Sequence, residues 1–268
     1  MTLESHWRRL NRAYDHIQTL DRSIQRWLDS DAYRVVKEHD PEIRRTAYVA
    51  RIGTIPDDWP DLVGEAVHNM RSALDHLAFA LNAEGYADAH NGAAIPAERE
   101  NKSSFPIFGN VSQAGVPMDG AKAFKSSTSY RDMPAGAVSV IEQLQPYKRG
   151  KDFRLDPLWA IHELSRVDKH RIDLGVSASL PQQSIDSIHF EAVTEAALGA
   201  GGPVYDGKEL SYWVIPEGYK EPDADLNFTR SVAFGETTPL WNQPVVATLK
   251  GVRDYLRFKV AFPLDSFL

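Results

Sequence analysis

The chain has no cysteine. Disulfides, thiolate metal sites and cysteine nucleophiles are therefore excluded, and any chemistry rests on other side chains. No run approaches the roughly 18 consecutive apolar residues that a membrane-spanning helix needs. Positive charge is not in excess: 30 Lys and Arg stand against 37 Asp and Glu, a formal charge of −7. Electrostatic affinity for nucleic acid needs clustered cations, so any phosphate contact must be local. Met1-Thr2-Leu3-Glu4-Ser5-His6-Trp7-Arg8-Arg9 is polar from the start and lacks the charged-then-apolar pattern of a leader. A cytoplasmic protein without membrane contact is the expectation.

What is present is an ordinary globular composition, 268 residues, 43% hydrophobic and 25% charged, enough for a sizeable core. Residues 3–29 read as one amphipathic helix. Leu3, Trp7, Leu10, Tyr14, Ile17, Ile24 and Leu28 fall at three- and four-residue steps broken only at Asp21, and Arg8, Arg9, Arg12, Asp15, Arg22 and Arg26 make a solvated face. Tyr33–Lys37 and Ile43–Ile52 read as strands joined by the turn residues His39-Asp40-Pro41-Glu42. A second helix spans about 60–83. It starts at Pro60, carries a seam of Val63, Val67, Met70, Leu74, Leu77 and Leu81, and ends at Gly85.

Residues 86–133, rich in Gly, Ser, Asn, Pro and Ala, form a long excursion tethered by Phe105-Pro106-Ile107-Phe108; so long a connection is functional or partly mobile. A short helix over 134–144 follows. Asp156-Pro157 then opens a helix to about Arg171. The last third reads as strands at 172–180, 187–193, 209–215 and 226–234, with a closing helix over 245–262 and Pro263 just beyond it. The expected fold is α+β: a helical bundle with an attached, mostly antiparallel β-sheet, in a single compact unit over 1–268. The helical part is approximately 1–30, 59–85 and 134–171. The β-rich part is approximately 33–54 and 172–268, including the closing helix.

Two stretches carry the candidate chemistry. His68-Asn69-Met70-Arg71-Ser72-Ala73-Leu74-Asp75-His76 places two histidines, an arginine and an aspartate on the second helix. At about 100° per residue, Glu65, His68, Ser72 and Asp75 share a polar face, with Asn69 and His76 at one edge and Arg71 at the other. The other stretch runs from His162 to Arg171. There His162, Arg166 and His170 align at four-residue steps, while Asp168 falls beside Ile161, Leu164 and Ile172. A carboxylate on an apolar side needs a partner, and Arg71 or a histidine of the first cluster is the natural one.

Four readings of these clusters stay open. The first is a buried polar network that fixes helix register in a non-enzymatic interaction module, the excursion contacting a partner protein. The second is a metal site: Glu65, His68, Asp75, His76, His162, Glu163 and His170 are suitable ligands. Glu65-Ala66-Val67-His68 occurs without the second Glu-x-x-His that a di-iron bundle requires, and the cations within the clusters oppose a dication. The third, nucleophilic catalysis by Ser72 or Ser165, lacks a nucleophile elbow. The fourth is metal-free RNA cleavage. An imidazole moves protons at the 2′-hydroxyl or the leaving oxygen, and a guanidinium stabilises the phosphorane. Lys169 and Arg171, with Arg71 and Arg166, would supply local positive charge.

The first cluster, followed in order by Phe105-Pro106-Ile107-Phe108, Gln145-Pro146-Tyr147, Leu158-Trp159, His162-Glu163-Leu164 and Asp168-Lys169-His170-Arg171, resembles a group of uncharacterised bacterial proteins over roughly residues 60–172. That resemblance implies a shared fold and no activity. Arg71, with four residues before His76, resembles the Arg-x4–6-His signature of HEPN-domain proteins. This second resemblance implies a helical bundle, a homodimer and, in many members, metal-independent endoribonuclease activity of toxin or defence type. Carried over, Arg71 and His76 are the catalytic pair and RNA the substrate, with no cofactor and no metal. His68, Asn69, Ser72, Asp75, His162, Arg166, Asp168, Lys169 and His170 form the supporting shell.

Overall fold

A computed structural model describes residues 4–111, 115–169, 174–189, 191–199 and 201–268. The fold is α+β with antiparallel sheets. Where the sequence suggests one compact unit, the chain divides into two: Met1–Gln18, Asp61–Leu174 and Ala247–Leu268 form one, and Thr19–Pro60 with Gly175–Val246 the other.

The first unit is mainly helical. Helix α1 (Ser5–Asp29) begins in it, and α2 (Trp59–Ala89) supplies most of its length to it. The buried stripe of α1 is His6, Leu10, Ala13, Ile17, Leu20, Ile24 and Trp27, an unbroken three-four alternation. The sequence reading took the neighbouring phase, and Tyr14, on that phase, is 41% exposed. The apparent break at Asp21 disappears with Leu20 as the inward residue.

α2 does not stop at Gly85. A Cβ there would lie 2.0 Å from the Asp132 carbonyl oxygen, so this glycine lets the returning excursion cross the helix at backbone contact. The excursion is tied down along its length. It contains α3 (Ala97–Glu100) and α4 (Gly120–Ser126), with the Asp119 side chain accepting from the Lys122 N–H at the start of α4. Gln145 accepts from the Phe108 N–H and donates to the Pro106 carbonyl, both at 2.9 Å, and Asn82 donates to the Ser129 carbonyl and accepts from the Asp132 N–H. Phe105 and Ile107 are buried as expected of a tether.

After α5 (Ala135–Gln143) and a 3-10 segment (Pro146–Leu155), α6 (Pro157–Lys169) starts where Asp156 accepts from the Leu158 N–H at 2.8 Å. The closing helix α7 (Val245–Tyr255) groups with these helices, not with the strands. It continues through a π turn, Leu256–Ala261, so that Pro263 lies inside the continued helix rather than beyond it. His6 and the Trp7 indole N–H hold the two oxygens of Asp265 at 2.9 and 2.7 Å, fastening the chain's end to α1.

The second unit holds the strands. β1 (Tyr33–Asp40) and β2 (Arg45–Ile52) form the expected hairpin, with Asp40 accepting from the Glu42 N–H in the turn. β3 (Val176–His189) is one long strand where the sequence suggests two, followed by β4 (Glu195–Leu198), β5 (Gly202–Pro203), β6 (Glu209–Val214) and β7 (Asp223–Phe234). They build two antiparallel sheets, ordered β1-β2-β6-β4 and β5-β3-β7.

Candidate functional site

The polar residues of α2 divide between two neighbours. With Gly64 as origin and about 100° per residue, Arg71, Asp75 and His68 lie within about 40° of it, Ser72 near 80°, and His76 and Asn69 near 120–140°. Gly64 faces α6: a Cβ on it would stand 3.0 Å from Asp168 Oδ1. His76 faces α1, since Arg9, Arg8 and His6 are the charges that act on it beside its own neighbour Asp75. The arc between these two directions carries the exposed His68 and Glu65 and the half-buried Ser72.

On the α6 side the arginine is already engaged. Arg71 donates to both oxygens of Asp75, at 2.8 and 3.3 Å, and its Nη2 also donates to the Phe105 carbonyl at 3.0 Å. The Phe105 N–H returns a 3.0 Å bond to Asp75 Oδ1. The four groups clamp the excursion to α2. The Arg71 side chain is 14% exposed, and its Nη1 is buried with no hydrogen-bond partner among the described residues.

The partner expected for Asp168 is therefore corrected. Asp168 makes no ion pair among the described residues; it is half-buried against Gly64, while Arg71 lies seven residues, about 10 Å of helix rise, further along α2. Arg166 donates twice to Glu163 Oε2, at 2.8 and 3.2 Å, and that hydrogen bonding raises the guanidinium's pKa above its ordinary value. The His162 ring packs against Trp159, with centroids 5.8 Å apart. Lys169 closes α6, while His170, Arg171 and Ile172 lie outside the described residues.

On the α1 side the imidazole of His76 is half-buried and has no hydrogen-bond partner among the described residues. Burial lowers its pKa, Arg9 lowers it further, Asp75 partly opposes, and Arg8 and His6 add to the lowering. Burial and the positive charge on α1 thus favour the neutral form of the ring. Arg9, half-exposed, takes no ion-pair partner among the described residues. On the same edge of α2, Asn69 donates to the Glu65 carbonyl at 2.8 Å, and its buried Oδ1 has no described partner.

The arrangement favours the neutral, proton-accepting form of His76 within the field of positive charge on α1, which suits removal of a proton from a group bonded to an anion. It brings His76 and Asp75 together, sends Arg71 to the excursion, and leaves His68 in solvent. Sequence reasoning placed Arg8 and Arg9 on a solvated face and gave His6 no role. The signal for them was the phase of α1: once His6 is inward, Arg9 stands one turn on along the edge that meets α2. Among the described residues no three His, Asp or Glu side chains converge as metal ligands would.

No protein-family model, curated protein or solved structure matches the chain.

Proposed function

We propose that the protein is a metal-independent endoribonuclease, with His76 as the proton-transferring residue. Arg9 and Arg8, in place of Arg71, carry the charge of the scissile phosphate. One observation supports this above the others: a half-buried imidazole without a hydrogen-bond partner among the described residues, whose pKa burial and the charges of Arg9 and Arg8 lower. His76 takes the proton of a ribose 2′-hydroxyl, the 2′-oxygen bonds to phosphorus, and the bond to the 5′-oxygen breaks. That oxygen collects a proton from water, leaving a 2′,3′-cyclic phosphate. The guanidinium groups stabilise the extra negative charge of the intermediate. The HEPN-like bundle, and a homodimer as its working form, belong to this same reading through the Arg71-x4-His76 resemblance. Arg71 then acts indirectly, by holding Phe105 and Asp75.

The test is cleavage of labelled RNA in EDTA. His76→Ala and Arg9→Ala should each lose about a hundredfold or more in rate while keeping the wild-type circular dichroism. Undiminished cleavage by His76→Ala, or an inert wild type, removes the assignment. The second reading is a non-enzymatic interaction module. It is favoured by the Arg71–Asp75–Phe105 clamp, which uses the most distinctive residues of the motif to order a long surface segment. It accounts for an inert wild type.

A further inference from the structure

Beyond the helix that carries His76, the α1 N-terminus adjoins an aromatic and basic ledge that the proton-transfer chemistry does not use. The Arg257 guanidinium lies 6.0 Å from the Trp7 ring and 5.2 Å from the ring of Phe258. Phe258 is 56% exposed and Phe262, four residues on along the same side of the helix, is 71% exposed. Lys259 is exposed between them, and the π turn that carries Phe258 is the kind of helix irregularity that recurs at functional sites. Asp254 pairs with Arg253 at 2.7 Å, and Asp265 is held by His6 and Trp7.

Three occupants suit exposed rings next to cations: an unpaired nucleobase, an anionic membrane, or a second copy of the chain. Two phenylalanine side chains offer about 400 Å² at most, short of the about 800 Å² per partner of a stable dimer. A membrane face needs a continuous apolar band, and the exposed residues of this stretch, Asp254, Phe258, Lys259, Phe262 and Ser266, interrupt any such band. Isolated rings interleaved with guanidinium groups fit stacking of single bases with neutralisation of the intervening phosphates.

We propose that Trp7, Arg257, Phe258 and Phe262 form a subsite that stacks unpaired RNA bases and neutralises the intervening phosphates. This rests on the ribonuclease reading for its choice of RNA, and it is tested without cleavage. Fluorescein-labelled 2′-O-methyl oligouridylate, which lacks the attacking hydroxyl, is titrated with the full chain in EDTA and followed by anisotropy. Phe258→Ala should weaken binding about tenfold, Phe258→Trp should restore it, and a duplex of the same length should bind more weakly than the single strand.

Equal affinity of wild type and Phe258→Ala, or equal affinity for single strand and duplex, overturns the subsite. So does Phe258-dependent capture by phosphatidylserine vesicles, or Phe258-dependent dimerisation in sedimentation, without oligouridylate binding. Phe258-dependent binding alongside no cleavage of unmodified RNA keeps the subsite and discards the ribonuclease reading. His76-dependent cleavage that ignores Phe258 does the reverse.

Discussion

His76 and Arg71 are five residues apart on one helix, yet they answer to different surroundings. The about 140° between them turns Arg71 toward the excursion and His76 toward α1. Their presence and angular order were legible in the sequence. What occupied each direction was not, because a wheel orders the residues of one helix and names none of its neighbours. Tyr33 shows the same limit on the β side. Its place at the head of a strand could be read, but not that its hydroxyl is buried without a hydrogen-bond partner among the described residues, with burial pushing its pKa up to about 12. A raised folded pKa contributes stability below the ordinary value of 10.0 that is lost as pH climbs toward 12. Because the buried hydroxyl has no partner among the described residues, Tyr33→Phe should stabilise the protein by about 1 kcal/mol in urea titrations near neutral pH, and because phenylalanine does not ionise it should flatten the loss of stability in alkali. A destabilised Tyr33→Phe would mean the hydroxyl has a partner.

The helices were read well in extent and less well in phase and termination. α1 was found to within two residues of its start, but its inward stripe was assigned one position off because Ala13 and His6 are weak hydrophobic signals. Gly85 was read as a stop because glycine commonly ends helices. Its actual constraint comes from Asp132, 47 residues later, and no local pattern encodes that crossing. The distinction is measurable. In an open helix interior Gly→Ala stabilises by about 1 kcal/mol. Here the added methyl meets a backbone carbonyl, so Gly85→Ala should cost about 2–3 kcal/mol in thermal or urea denaturation. A variant as stable as the wild type would contradict the close approach. The sequence makes a carboxylate at the end of α6 a partner for the α2 arginine if the two helices pack; it sits against Gly64 instead, a difference of two turns that pattern alone does not resolve.

At the scale of the molecule, a chain with net charge −7 must gather any phosphate-binding charge in one place. The basic residues of the α1 N-terminus and of the closing helix come from opposite ends of the sequence, which the His6–Asp265 contact joins across 259 positions. That contact also explains why the closing helix, which follows the strands, belongs with the helices. Most of the candidate site on α2 was legible; the α1 half was not, since its arginines look like any solvated face until a neighbour is known. The pH–rate profile of RNA cleavage in EDTA, for wild type and Arg9→Gln, joins both halves in one readout. A general base must be neutral, so the rate should fall on the acid side only below the ordinary imidazole value of 6.5, because burial and Arg9 hold the His76 pKa down. Removing the Arg9 charge should move that limb to higher pH. An acid limb at or above 6.5 that is indifferent to Arg9, or a rate that does not depend on pH in this range, would contradict the assignment of His76 and Arg9.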